Sequence, residues 1–246
     1  MDTVLVTIPF SHYCEKARWA LQRCGVGFGE QGHLPLFHAL AVRRAGGRRM
    51  VPVLITAEGM VQESAAIAAW ADARRPGTLL PVQPAARRAA LELEDLFDRQ
   101  LGPATRRWAY HQLLPDKRAL AALMARGAPA WERAAFRLLR PAAIALMRKA
   151  MNINPAGAER SRAKIEEVFE QVGERLHDGR SFLTGERFTI ADLAFAALAA
   201  PVLFPPGHPF MPDAGGALQR SARQQVDAWR ASAAGRFGLR LYTTQR

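Results

Sequence analysis

Near the amino terminus the hydrophobic period changes once. Val4, Leu5, Val6 and Ile8 form a short β-branched run ended by Pro9. Cys14, Ala17, Leu21 and Cys24 then recur at helical spacing until Gly25 stops the pattern. A strand therefore hands over to a helix near Ser11. Unpaired backbone N–H groups and the positive end of a helix dipole favour an anion at such a point, whether carboxylate, phosphate or thiolate.

The following pattern predicts a second strand over 28–34, weakened by Gly29 and Gly32, and a short helix over 37–45 ended by Gly46-Gly47. Residues 48–55 read as a strand entered through Val51-Pro52, and a proline is tolerated at a strand's first position. A turn at Ala57-Glu58-Gly59, a short return through Met60-Val61 and a helix opened by Glu63-Ser64 and running to about 73 complete the order βαβαββα. The strand ends converge on Ser11, Val51 and Ser64, in a domain assigned to residues 1–76.

Beyond the Pro- and Gly-containing segment 74–81 every period is helical, so residues 85–246 read as an all-α domain. Helices are expected over 85–101, resuming after Gly102-Pro103 through Trp108 and Tyr110, then over 116–126, 130–151, 161–176 and 217–233. Pro141 should kink or split the long one. Thr189 with Asp192 has the form of a capping box, and Phe188 and Leu193 that of its hydrophobic staple.

Composition removes several function classes. The most apolar run, 188–204, carries Asp192, is broken by Pro201 and falls short of the roughly 20 residues of a spanning helix. No membrane association is expected. The chain enters its first strand directly after Met1 and Asp2, leaving no leader pattern, and the expected compartment is the cytoplasm. The net charge of +12 comes from scattered arginine pairs such as Arg43-Arg44 and Arg106-Arg107, with no basic arm or nucleic-acid motif, so no nucleic-acid partner is expected. Cys14 and Cys24 lie about 15 Å apart along one helix, out of disulfide reach. No His/Cys/Asp cluster has metal-ligand spacing, and no metal is expected.

Four features in this order resemble the glutathione S-transferase family: Ser11-His12-Tyr13-Cys14 with Arg18-Trp19-Ala20-Leu21, the Val51-Pro52 pair, the Glu63-Ser64 pair, and the capping box behind Phe182-Leu183-Thr184-Gly185. The resemblance spans essentially the whole chain and implies a thioredoxin-like α/β domain followed by a helical one. It implies a transferase of alkyl or aryl groups to sulfur with a detoxifying role, glutathione as co-substrate, no further cofactor, and a homodimer. The dimer would set the region 60–70 against the partner's helix 85–101.

By that resemblance Ser11 meets the glutathione sulfur, with Tyr13 as a second candidate for the same donor. A hydroxyl donor at a helix N-terminus favours thiolate over thiol. Ser11 could equally cap the helix. The resemblance gives Val51 and the cis-Pro52 the backbone pairing with the cysteinyl residue. It gives Glu63 and Ser64 the glutamyl end, where capping is the alternative, and Arg49 the glycyl carboxylate, where a solvated surface charge is the alternative. A small hydrophobic electrophile would lie between the domains against Phe10, His12, Trp108 and Tyr110, residues that could instead be core. Cys14 reads as a packed thiol. Alternatives to transfer are a non-catalytic glutathione- or hydrophobic-ligand-binding protein, and a glutathione-dependent reductase, isomerase or dehalogenase.

Overall fold

The computed structural model describes residues 3–124, 126–211 and 218–246. The positions at which the sequence starts the first domain and the last helix, Met1, Asp2 and Ala217, lie outside them. Strand β1 (Val4–Thr7) is central, as its run of branched apolar side chains requires, and Leu5 and Val6 are buried on opposite faces. It pairs in parallel with β2 (Gly29–Gly32) and antiparallel with β3 (Val53–Thr56). Strand β4 (Gly59–Gln62) forms the far edge as an antiparallel hairpin on β3, so the sheet order is β2-β1-β3-β4. Helices α1 (His12–Arg23), α2 (His38–Arg44) and α3 (Ser64–Arg74) complete the βαβαββα order. Strand β2 is shorter than the run 28–34, because Gly29 and Gly32 bound a segment with no apolar side chain to pack.

The helical domain departs from expectation at its joints. Helix α4 (Pro84–Leu96) does not stop at Gly102-Pro103. It passes through a π-helical turn (Phe97–Leu101) directly into α5 (Gly102–Leu113), with Pro103 next to the junction. Helix α6 (Lys117–Met124) follows, with Asp116 accepting from the N–H of Arg118 at 2.7 Å and of Ala119 at 3.1 Å.

Helix α7 (Ala130–Ala150) runs unbroken through Pro141, which faces solvent. Helix α8 (Pro155–Arg175) starts six residues before the expected 161, because Asn154 caps it through a 2.7 Å bond from Gly157 N–H and Pro155 suits the first helical position.

The capping box forms as read: Asp192 accepts the Thr189 N–H at 2.7 Å and starts α9 (Ile190–Leu203), whose every residue is buried. The helix expected over 217–233 is α10 (Arg220–Ala231), and a further, unexpected one, α11 (Ala233–Thr244), follows it after Ser232, whose hydroxyl accepts from Gly235 N–H at 3.0 Å. No described helix is long and apolar enough to cross a membrane.

Apolar burial and buried ions join the two layers. Trp19 of α1 stacks on Phe188 and Tyr242 at 5.9 and 5.0 Å between ring centroids. Lys16 of α1, fully buried, reaches Glu94 of α4 at 2.8 Å and Asp98 at 2.6 Å. His33 and the Leu34 N–H bond Glu132 of α7 at 2.6 and 2.7 Å. Removing one member of such a buried set leaves an uncompensated charge, at a cost of about 3–5 kcal/mol.

Candidate functional site

The ends of β1 and β3, the starts of α1 and α3 and the inner face of α5 surround one cleft of about 1000 Å³. That exceeds what a tripeptide alone would fill. Of the predicted residues, Phe10, Ser11, His12, Tyr13, Arg49, Val51, Pro52, Glu63, Ser64 and Tyr110 line it. Trp108 does not. It is a core residue set edge-on to Trp229 at 4.8 Å, turned away from the cleft on the other side of α5.

Three sets of polar groups border this space. Ser11 precedes α1 in extended conformation (φ −74°, ψ 124°) and its hydroxyl caps nothing. Helix α3 starts at Ser64 with no side chain on its first N–H groups. The Ser64 residue is buried at 4% exposure, yet its hydroxyl makes no hydrogen bond among the described residues. Val51, joined to Pro52 by a cis peptide, uses neither its N–H nor its C=O within the described protein. Glu63 is held at φ +78°, a left-handed conformation unfavourable for a side-chain-bearing residue, with its N–H on the Pro52 carbonyl at 3.3 Å. Such backbone strain concentrates at ligand sites.

The residues around Ser11 differ in what they can do. Cys14 is fully buried and burial pushes its thiol up to about 11, against the opposing contact with the Ser11 side chain. That suits a packing role rather than a reactive one. Tyr13 donates its hydroxyl proton to the Asp98 carbonyl at 2.7 Å, and burial pushes it up to about 12. Its proton is committed to a carbonyl of the helical domain, whereas the Ser11 hydroxyl meets only the weakly accepting thiol of Cys14. His12 is buried and pulled down to about 3, by burial first and then by the nearby Arg106 charge. The neutral ring sits 2.9 Å from the Gly102 carbonyl, which only accepts, so Nε2 carries the hydrogen.

The helical side of the site rests on residues the sequence reading passed over. The π-helical turn presents Asp98, whose carbonyl holds Tyr13 and whose carboxylate holds Lys16. A side chain at Gly102 would collide with the Tyr13 hydroxyl, so only glycine allows this approach of α5 to α1. Arg106 lines the cleft, while Arg107 turns the other way, to the Met151 carbonyl at 2.9 Å and Ser161 at 3.0 Å. The spacing Gly102, Arg106, Ala109, Tyr110, Leu113 marks one helical face and was the available signal. Arg49 lies at the exposed rim. Its loop is clamped by the Gln62 amide, which donates to the carbonyls of Arg48 and Met50 at 2.8 Å each.

Comparison with known proteins gives matches across both domains. The family model of the glutathione S-transferase N-terminal domain matches residues 5–79, and that of its C-terminal domain matches 155–232. No curated protein matches the sequence significantly. Among solved structures, FzlA from C. crescentus is similar at 20% identity and a TM-score of 0.62, over 100% of this chain and 93% of that one. A glutathione S-transferase from Methylobacterium radiotolerans, complexed with glutathione sulfonate, is similar at 21% identity and 0.58, over 97% and 95%. The β-etherase LigF from Sphingobium is similar at 19% and 0.62, over 98% and 99%. At these identities the structural likenesses speak for fold alone, but with both family models matched in order, the chain belongs to the glutathione S-transferase family.

Proposed function

We propose that this protein binds glutathione in the cleft and activates its sulfur for transfer to an apolar electrophile. The observation that carries the reading is the convergence of the open groups at Ser11, Val51 and Ser64 on one space. Val51 pairs with the cysteinyl backbone as an added strand would. The first turn of α3 and the Ser64 hydroxyl take the glutamyl carboxylate, Glu63 its ammonium, and Arg49 the glycyl carboxylate. This places the sulfur before α1, where the Ser11 hydroxyl donates to it and the helix dipole adds to the same stabilisation. The thiol proton leaves to solvent, the thiolate forms a bond to the electrophilic carbon, and the leaving group departs with its electron pair.

Ser11 is preferred to Tyr13 because the tyrosine hydroxyl is already given to Asp98. Thiol-disulfide chemistry is disfavoured, since a serine forms no mixed disulfide and Cys14 is buried with a raised pKa. The reading extends to a detoxifying homodimer in the cytoplasm. Exposed Met60 and Leu91, on the two surfaces assigned to the dimer contact, support it.

Replacement of Ser11 by Ala tests the centre. The expected result is a loss of at least tenfold in kcat/KM for an aromatic electrophile, about 1.4 kcal/mol, with the rate rising at higher pH than in the wild type. Full activity in the folded variant rejects Ser11 as the thiol partner. Calorimetry with glutathione separates a transferase from a protein that carries only hydrophobic ligands, for which no binding at millimolar concentration is expected.

A further inference from the structure

Arg106 stands out among the charges that line the cleft, although the residue is only half-buried. Its Nε is sealed from solvent without a hydrogen-bond partner, and among the described residues no carboxylate lies within ion-pair distance of its guanidinium. The contrast with nearby cations is direct: Lys16 holds two carboxylates, Arg18 holds Glu15 and Glu30, and Arg107 is spent on α8 and its entry. Arg106 instead lines the cleft, with its guanidinium carbon 6.0 Å from the centre of the Tyr13 ring. Its charge acts on His12, Tyr13 and Tyr110 alike, lowering the proton affinity of each. The acid at this end of the cleft, Asp98, has one carboxylate oxygen on Lys16 at 2.6 Å.

The cleft that Arg106 lines also has a large apolar share, with Leu113, Leu123, Met147, Met151 and Phe204 on its helical side. A guanidinium whose Nε is sealed without a partner is costly unless a ligand completes it. Its planar fork matches a carboxylate or sulfonate bidentately, and methionines adapt to a flat ring of variable shape. The carboxylates of glutathione are assigned to the α3 start and to Arg49, which leaves Arg106 for the second substrate.

We propose that the acceptor is an aromatic or otherwise apolar compound bearing an anionic oxygen group, and that Arg106 determines this specificity by pairing with that group. The proposal rests on the cleft being the acceptor site, so its test is made first without glutathione or turnover.

The probes are 8-anilinonaphthalene-1-sulfonate and the neutral N-phenyl-1-naphthylamine, which share a ring body and differ in the anion. Fluorescence titration of the wild type, Arg106→Met and Arg106→Lys is expected to show the sulfonate weakened at least tenfold by Met and less by Lys. The neutral dye should change by less than twofold. Equal changes in both dyes, or none in either, overturn the proposal.

A kinetic arm compares 4-chloro-3,5-dinitrobenzoate with its amide. A wild-type preference for the carboxylate that the Met variant loses supports the proposal. A parallel fall for both compounds places Arg106 on the sulfur or the fold and overturns it. Thermal unfolding establishes that each variant is folded. Should the Met variant not fold, the wild type decides alone: preference for the anionic member of each pair, weakening with added salt, supports the proposal, and its absence overturns it.

Discussion

The helices that start at the cleft and four of those in the helical domain differ in what meets their first N–H groups. In the α/β domain, α1 and α3 begin at the cleft with no side chain on their free N–H groups, although Ser11 stands at the N-cap of α1 and Glu63 at that of α3 with Ser64 as its first residue. In the helical domain, Asp116, Asn154, Asp192 and Ser232 satisfy the starts of α6, α8, α9 and α11. The same residue chemistry therefore serves stability in one domain and is held open for a ligand in the other. Substitutions on the helical side should cost stability and leave glutathione affinity intact, and those at the cleft should do the reverse.

The largest effect is expected at Asp192, which accepts from the Leu183 N–H at 2.8 Å, the Thr189 N–H at 2.7 Å and the Thr189 hydroxyl at 3.0 Å. Asp192→Ala strands two buried backbone donors and should lower unfolding free energy by about 3 kcal/mol in urea titration. Glutathione affinity of the folded fraction should not change. A loss under 1 kcal/mol would break the comparison on the helical side.

His208 comes next. Burial pulls it down to about 4, while its Nδ1 accepts from the N–H of Phe210 and Met211 at 3.2 and 3.0 Å. The native state therefore holds fewer protons than the unfolded chain between pH 4 and 6.5. The stability from this group is complete above 6.5 and lost as pH falls toward 4. At pH 5 the loss is about 2 kcal/mol, from 1.36 kcal/mol per unit. Urea midpoints at pH 7.5 and 5 should show a drop that His208→Gln makes shallower by about that amount. Identical pH dependence in the two proteins removes His208 from the account.

At the cleft, Ser64→Ala should weaken glutathione about tenfold, roughly 1.4 kcal/mol by calorimetry, and shift unfolding by less than about 0.5 kcal/mol. A stability loss with unchanged binding would leave Ser64 a purely structural residue. The smallest effect is that of Ser232→Ala, about 1 kcal/mol in stability through the lost cap of α11 and none in glutathione binding.

Legibility followed the range of the interactions. The turn signals and the run of branched residues made β1 visible, and the Thr189–Asp192 box is a bond between neighbours, so both were readable from short windows. The start of α8 is signalled only by Asn154-Pro155, because the apolar spacing becomes regular from Ile165 onward. The passage from α4 to α5 was hidden for a different reason. Gly102-Pro103 breaks a helix by local preference, but here Gly102 is required by the approach of Tyr13, far away in the chain, and the π-helical turn absorbs the mismatch. Arg106 and Arg107 are adjacent and chemically identical, and only the rotation of α5 against α1 and α8 gives them opposite surroundings.

By itself the sequence determined the βαβαββα order, the helical second half and the serine ahead of α1, because these depend on side-chain period, turn chemistry and caps within a few residues. Tertiary structure alone decided that Tyr13 is spent on Asp98, that Trp108 belongs to the core and that Arg106 faces the cleft unpaired. Each of those outcomes depends on which distant backbone comes within hydrogen-bonding reach or shields a charge from water, and local pattern carries no record of that.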